Sequence, residues 1–152
     1  MRRFFAISMF SLLLLCNMVV VVAATEKKMV LVVAADAGHL KLNRSEIRQL
    51  FFAGVIIKDG VQFEAVINDN DPLLYEVFLQ KIIFMSARAY ERKLISRVYQ
   101  KGGKRVVLAS NLESLENDLV ANPGWVSFMW EENARSLPGI TVIGQLWHGS
   151  VN

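Results

Sequence analysis

The sequence predicts an α/β domain, and three observations carry that prediction. A continuous apolar run, "KMVLVVAA" at 28–35, has the composition of a strand buried on both faces. Beyond it, short strand-like runs alternate with stretches whose apolar residues recur at helical spacing. The boundaries carry residues that start and stop helices: Asn43, Gly54, Asp71-Pro72, "KGG" at 101–103 and "NPG" at 122–124.

The elements follow in order. After the loop "DAGHLKL", Asn43 and Glu46 form a capping-box pattern that opens a helix in "NRSEIRQLFF". Ile47, Leu50 and Phe51 give it one apolar face, and Gly54 closes it. "KDG" at 58–60 is a turn signal, and "VQFEAVI" at 61–67 alternates as a strand. Asp71 caps the next helix with Pro72 at its first position, and Leu74, Val77, Phe78 and Ile82 form its buried side. Ser86 to Gln100 reads as a helix with Tyr90, Leu94 and Val98 on one face. "KRVVLAS" at 104–110 reads as a short buried strand, and Ser110 with Glu113 as a second capping box. The helix it opens turns Leu112, Leu115, Leu119 and Val120 inward. "WVSFM" and "ITVIGQLW" read as the last strands, separated by a polar loop through Pro138-Gly139.

The front of the chain holds much of its apolar content. "MRRFFAISMFSLLLLCNMVVVVAA" runs from Arg2 and Arg3 through an apolar middle to Ala23-Ala24, the order of a secretory signal cut after Ala24, with Val22 and Ala24 as the small residues before the cut. The competing reading is an uncleaved membrane anchor, since Phe4 to Ala24 approaches the length that spans a bilayer. Ser8, Ser11, Asn17 and the Ala-Ala ending favour cleavage. Leu15, before Cys16, is bulky where a lipobox has a small residue. The expectation is a signal peptide over 1–24 and one periplasmic or secreted domain over 25–152.

Cleavage keeps all 14 acidic residues and removes only Arg2 and Arg3 of the 17 basic ones, so the net charge falls from +3 to +1. An exported chain of that charge is not expected to bind nucleic acid. It also retains no cysteine, which excludes disulfides, thiol nucleophiles and Cys-ligated zinc.

Enzyme chemistry finds no motif. His39 and His148 stand outside any metal-ligand spacing, and Ser45, Ser86, Ser110 and Ser127 lack a nucleophile elbow. With no acid/base pair or phosphate-cradling loop either, neither an enzyme, a cofactor nor a metal is expected. Arg88, Arg92 and Arg97 belong to a basic stretch relieved by Glu91, which reads as a solvated helix face or as a surface for an acidic partner or anionic lipid. Trp125 and Trp147 are candidates for an interface or for core packing.

The most informative stretch is "INDNDPLLYEVF" at 67–78. A strand-to-helix turn exposes backbone N–H groups that favour an anion, yet this one offers Asn68, Asp69, Asn70 and Asp71. Calcium takes roughly six to eight oxygens, which four consecutive residues rarely aim at one centre. The plainer reading is a turn with Asp71 as the helix cap.

The order of these signals resembles a family. "LNRSEIRQLFFAG" is similar to the "L-S-x-x-E-L-x-x-I-F-x-G" segment of the periplasmic phosphate-binding proteins of ABC transporters, and more so to their short, one-lobed relatives. "DG" before a strand ending near 67, a helix with Phe78, "LAS", and "NPGWVSFM" in place of "x-P-G-A-I-G-Y-V" follow in the same order over residues 28 to 147. The resemblance implies a single lobe of the type II periplasmic-binding-protein fold, a central mixed sheet flanked by helices. It also implies solute binding and transport, with phosphate or another small oxyanion as ligand. In the family, "R-x-D-G-S-G-T" binds the phosphate. Aligned on Phe78, that motif's Arg falls on Asn68 and its Asp on Asn70, while Ser, Gly and Thr fall on Pro72, Leu73 and Leu74. The arginine and hydroxyl donors are gone, each a charge-assisted bond worth roughly 1.5–3 kcal/mol. The expectation is a solute-binding-like domain with a degenerate anion turn. The alternative is an exported interaction module that docks on a membrane or periplasmic protein, or on a second copy that rebuilds a cleft.

Overall fold

The structure, a computed structural model, describes residues 25–102 and 105–151, so the segment read as a signal lies outside it. The strands are β1 (Thr25–Ala34), β2 (Val55–Lys58), β3 (Val61–Asn68), β4 (Val107–Ala109), β5 (Trp125–Trp130) and β6 (Ile140–Val151). The helices are α1 (Arg44–Ala53), α2 (Pro72–Phe78), α3 (Ala87–Lys101), α4 (Leu112–Ala121) and α5 (Glu131–Ser136), with a π-helical stretch at Leu79–Ile83 prolonging α2.

The chain is α/β, built on one mixed sheet of order β2-β3-β5-β1-β6. β3 runs parallel to β4 and β5, whereas β1 is antiparallel to both its neighbours, β5 and β6. Residues 29–34 of β1 are almost wholly buried, as the apolar run predicts, because strands flank them on both sides and side chains pack on both faces. β2 covers the first half of β3's outer edge, pairing Val61 to Glu64, and β4 covers the last three residues, Val66 to Asn68. The strand β2 is absent from the sequence reading, which passes from the Gly54 helix stop to the "KDG" turn with no strand between them. Asp59 and Gly60 both take positive φ in the two-residue turn that joins β2 to β3.

The capping chemistry of α1 is as read. Asn43 Oδ1 accepts from the Glu46 N–H at 2.9 Å, and Glu46 Oε2 accepts from the Asn43 N–H at 2.7 Å. That second bond, with Lys58 at 2.9 Å, holds the Glu46 carboxyl below its ordinary range.

Four expectations are corrected. β4 is an edge strand rather than a buried one: among the described residues it pairs only with β3, and Leu108 is 60% exposed. The cap of α4 is Asn111, not Ser110. Asn111 Oδ1 accepts from the Ser114 N–H at 2.7 Å, and an asparagine amide caps as well as a hydroxyl does. Val120 is exposed, because the buried stripe of α4 runs through Leu115 and Leu119. The stretch after β5 is the helix α5 rather than a loop. Glu131 and Glu132 sit at its dipole-favoured start, and Arg135 pairs with Glu131 at 3.1 Å one turn later.

Three phenylalanines tie the elements together. Phe78 of α2 stacks on Phe128 of β5 with centroids 3.8 Å apart, and Phe51 of α1 meets both edge-on at 4.9 and 5.6 Å. The turn into β5 depends on Gly124, whose φ is +105° and whose added Cβ would lie 2.7 Å from the Gln62 carbonyl oxygen. Gly124→Ala is therefore expected to cost about 2–4 kcal/mol, combining a disfavoured backbone with a clash against β3. Urea denaturation checks it through the midpoint at unchanged slope; a loss under about 0.5 kcal/mol would mean the turn relaxes freely.

Candidate functional site

The turn singled out by sequence joins β3 to α2 and is held largely by internal hydrogen bonds. Asn68 is completely buried; its Nδ2 donates to the Phe128 carbonyl at 2.9 Å and its Oδ1 accepts from the Asn70 N–H at 3.2 Å. The Asp69 N–H donates to the Ala109 carbonyl of β4 at 2.9 Å, while the Asp69 side chain is exposed.

Asp71 governs the helix start. Its Oδ1 accepts from the N–H groups of Leu73 and Leu74 at 2.8 and 3.2 Å, and its Oδ2 accepts from the Trp130 indole N–H at 2.8 Å. Pro72 has no N–H, and the Tyr75 N–H already donates to the Asp71 carbonyl. Every backbone donor that α2 could aim at an oxyanion is thus absent or engaged. Burial alone would push the Asp71 carboxyl up, but the Trp130 indole, the Leu74 and Leu73 N–H groups and nearby Lys27 together hold it below its ordinary value.

The cation beside this carboxylate is committed too. Lys27 Nζ sits 5.0 Å from the Trp130 ring centroid and pairs with Glu132 at 2.7 Å. Asn70 Oδ1 is buried with no hydrogen-bond partner, an acceptor that calls for a donor and so repels an oxyanion.

The other predicted residues do not form one patch. Arg88 and Arg92 are exposed on α3, but Arg97 is half-buried and its Nη1 donates to the Phe52 carbonyl at 3.1 Å. With the Tyr90 hydroxyl donating to the Phe51 carbonyl at 2.7 Å, Arg97 caps the C-terminal end of α1, where carbonyls lack helical partners. Burial pushes the Tyr90 phenol well up, with Tyr75 adding to it. Trp125, half-buried, opens β5 opposite Glu64, while Trp147 lies across the sheet on β6, 6.4 Å from Trp130. Among the described residues no group of three or more His, Cys, Asp or Glu side chains is placed to hold a metal. Ser86 caps α3, and Ser127 is buried with its hydroxyl donating to the Val66 carbonyl at 2.9 Å. His39 and His148 are exposed.

A second feature was not read from the sequence. α3 docks on the end of α1 through Tyr90, Arg97 and Lys93, which lies 4.3 Å from the Phe52 ring centroid, and makes few contacts with the sheet. Between α3 and the outer edge of the sheet is a groove of about 880 Å³. Ala65 and Ile67 of β3, Leu94 and Val98 of α3, and Val107 and Leu108 of β4 line it. The missed signal was the pair of apolar positions Val55 and Ile57, which line the same groove and are exposed on a short edge strand.

No protein-family model matches the chain, and no curated protein matches it. Among the described residues no helix is long and apolar enough to cross a membrane.

Proposed function

We propose that the chain is an exported solute-binding-like domain, a single type II periplasmic-binding-protein lobe related to the phosphate-binding proteins of ABC transporters, in which phosphate capture at residues 68–74 has been lost. The mixed sheet flanked by helices and the ordered motifs over 28–147 support the relationship. One observation carries the loss: the Asp71 carboxylate holds the Leu73 and Leu74 N–H groups that a bound oxyanion would need. An internal anion takes the external anion's place, and a phosphate brought to the turn meets that carboxylate and the exposed Asp69.

The second reading, an accessory module that docks on a membrane or periplasmic protein, is favoured by the single lobe. One lobe cannot enclose a solute, and enclosure supplies most of the affinity of such sites. Both readings expect silence toward phosphate. Calorimetric titration of the purified chain with phosphate, with sulfate as control, is expected to give no saturable heat from folded protein. Saturable heat at one site per chain or per dimer would contradict the loss.

A further inference from the structure

We infer that the groove between α3 and the β4 edge binds a short, extended apolar peptide that adds to β4 as an antiparallel strand. This site lies apart from the cap bonds of Asp71 and does not depend on how the phosphate titration turns out. The inference rests on the open edge, the apolar lining and the opposite charges at the two ends.

The edge comes first. β4 bonds to β3 on its inner side and, among the described residues, to nothing on its outer side. Val107 and Leu108 are consecutive strand residues pointing to opposite faces, yet both line the groove, so the space runs along the strand's edge. Main-chain groups on such an edge are a template for an added strand.

The lining is apolar where a peptide's side chains would fall. Ile95 of α3 and Leu108 of β4, 46% and 60% exposed, flank this space, and Ile57 of β2, 75% exposed, continues the apolar lining beyond it at the level of Gln62. Apolar side chains gathered around one concavity gain from being covered together.

The ends differ in charge. At the end where β3 finishes, Asp69 and Glu91 line the groove beside Tyr75, whose phenol burial pushes up to about 12 with Glu91 and Asp69 adding to it. At the other end are Arg97, anchored beside Gly54, and Arg105, two residues ahead of β4. Glu64 also lies at that end and keeps its charge, its Oε1 accepting from the neutral Gln62 Nε2 at 2.6 Å, so two arginines there stand against one carboxylate. From the level of Ala65 to that of Asp69 is four residues of strand, about 13 Å at ~3.3 Å per residue, the span of an extended tetrapeptide. A free amine at the acidic end and a free carboxylate at the arginine end set the peptide antiparallel to β4. Arginine also suits a carboxylate by its forked donors.

The test uses the tetrapeptide Val-Thr-Val-Leu with free termini, titrated into the purified full chain and followed by calorimetry and amide shifts. Saturable one-to-one binding is expected, with shifts concentrated at 106–108 and 94–98. N-acetylation or C-amidation is expected to weaken it at least about tenfold each, the factor one charge-assisted bond supplies. Arg105→Glu should abolish the preference for a free C-terminus, and Leu108→Lys, at an exposed position that leaves the fold intact, should remove binding. Absence of saturable binding, equal binding of the capped peptides, equal binding of decanoate, or indifference to Leu108→Lys would each overturn the assignment.

Discussion

Phe128→Ala is expected to destabilise the chain by about 3–5 kcal/mol, the largest loss from any single truncation considered. Phe128 is fully buried in the centre of β5, stacked on Phe78 and edge-on to Phe51, so its removal leaves a void bounded by α1, α2 and the sheet. The aromatic contacts add about 0.5–1.5 kcal/mol beyond the buried area. Phe128→Leu keeps most of the volume and is expected to lose markedly less. Chemical denaturation of the two variants checks the difference; equal losses would mean that aromatic geometry, rather than filled volume, holds this layer.

Asp71→Ala is expected to cost about 2–4 kcal/mol, unusually much for a helix cap. Losing the cap bonds to Leu73 and Leu74 accounts for about 1 kcal/mol. The rest comes from the Trp130 indole N–H, in a side chain 1% exposed, which is left without its acceptor at a cost of about 1–3 kcal/mol. Asp71→Asn separates the two parts. Its amide oxygen can still cap, but its NH₂ then faces the indole donor. The pH dependence has a definite sign. The folded carboxyl titrates below its ordinary 3.8, so its contribution is whole at neutral pH and is lost as the pH falls below 3.8 through the folded value. The gap in stability between the native chain and Asp71→Asn should therefore narrow on acidification. A gap that stayed constant to acid would mean that the Asp71 charge is not what holds the turn.

What could be read in advance was local. The capping box at Asn43–Glu46, the Asp71-Pro72 helix start and the Gly54 stop are each settled by neighbouring residues, and the structure has all three. The "KMVLVVAA" run announced burial but not direction. β1 is antiparallel on both sides, and an apolar run reports only that both faces are covered. Where the reading failed, the deciding partner was distant. "KRVVLAS" has a core strand's composition, and only the sheet order makes β4 an edge. Arg97 falls in a basic run that reads as solvated, and only the arrival of the α1 carboxyl end makes it a cap. The turn was half legible: the absence of arginine and hydroxyl side chains stood in the letters at 68–74. That Asp71 also takes the Trp130 indole, 59 positions away, did not.

The most direct measurement of the central claim follows the Asp71 carboxyl carbon and the Leu73 and Leu74 amides by NMR across pH, with and without millimolar phosphate. If the carboxylate fills the turn, it titrates below 3.8, the two amides shift with it, and phosphate changes none of them. Amide shifts that follow phosphate and saturate, with the carboxyl displaced toward or above its ordinary value, would mean that the turn still opens to an oxyanion and would contradict the account.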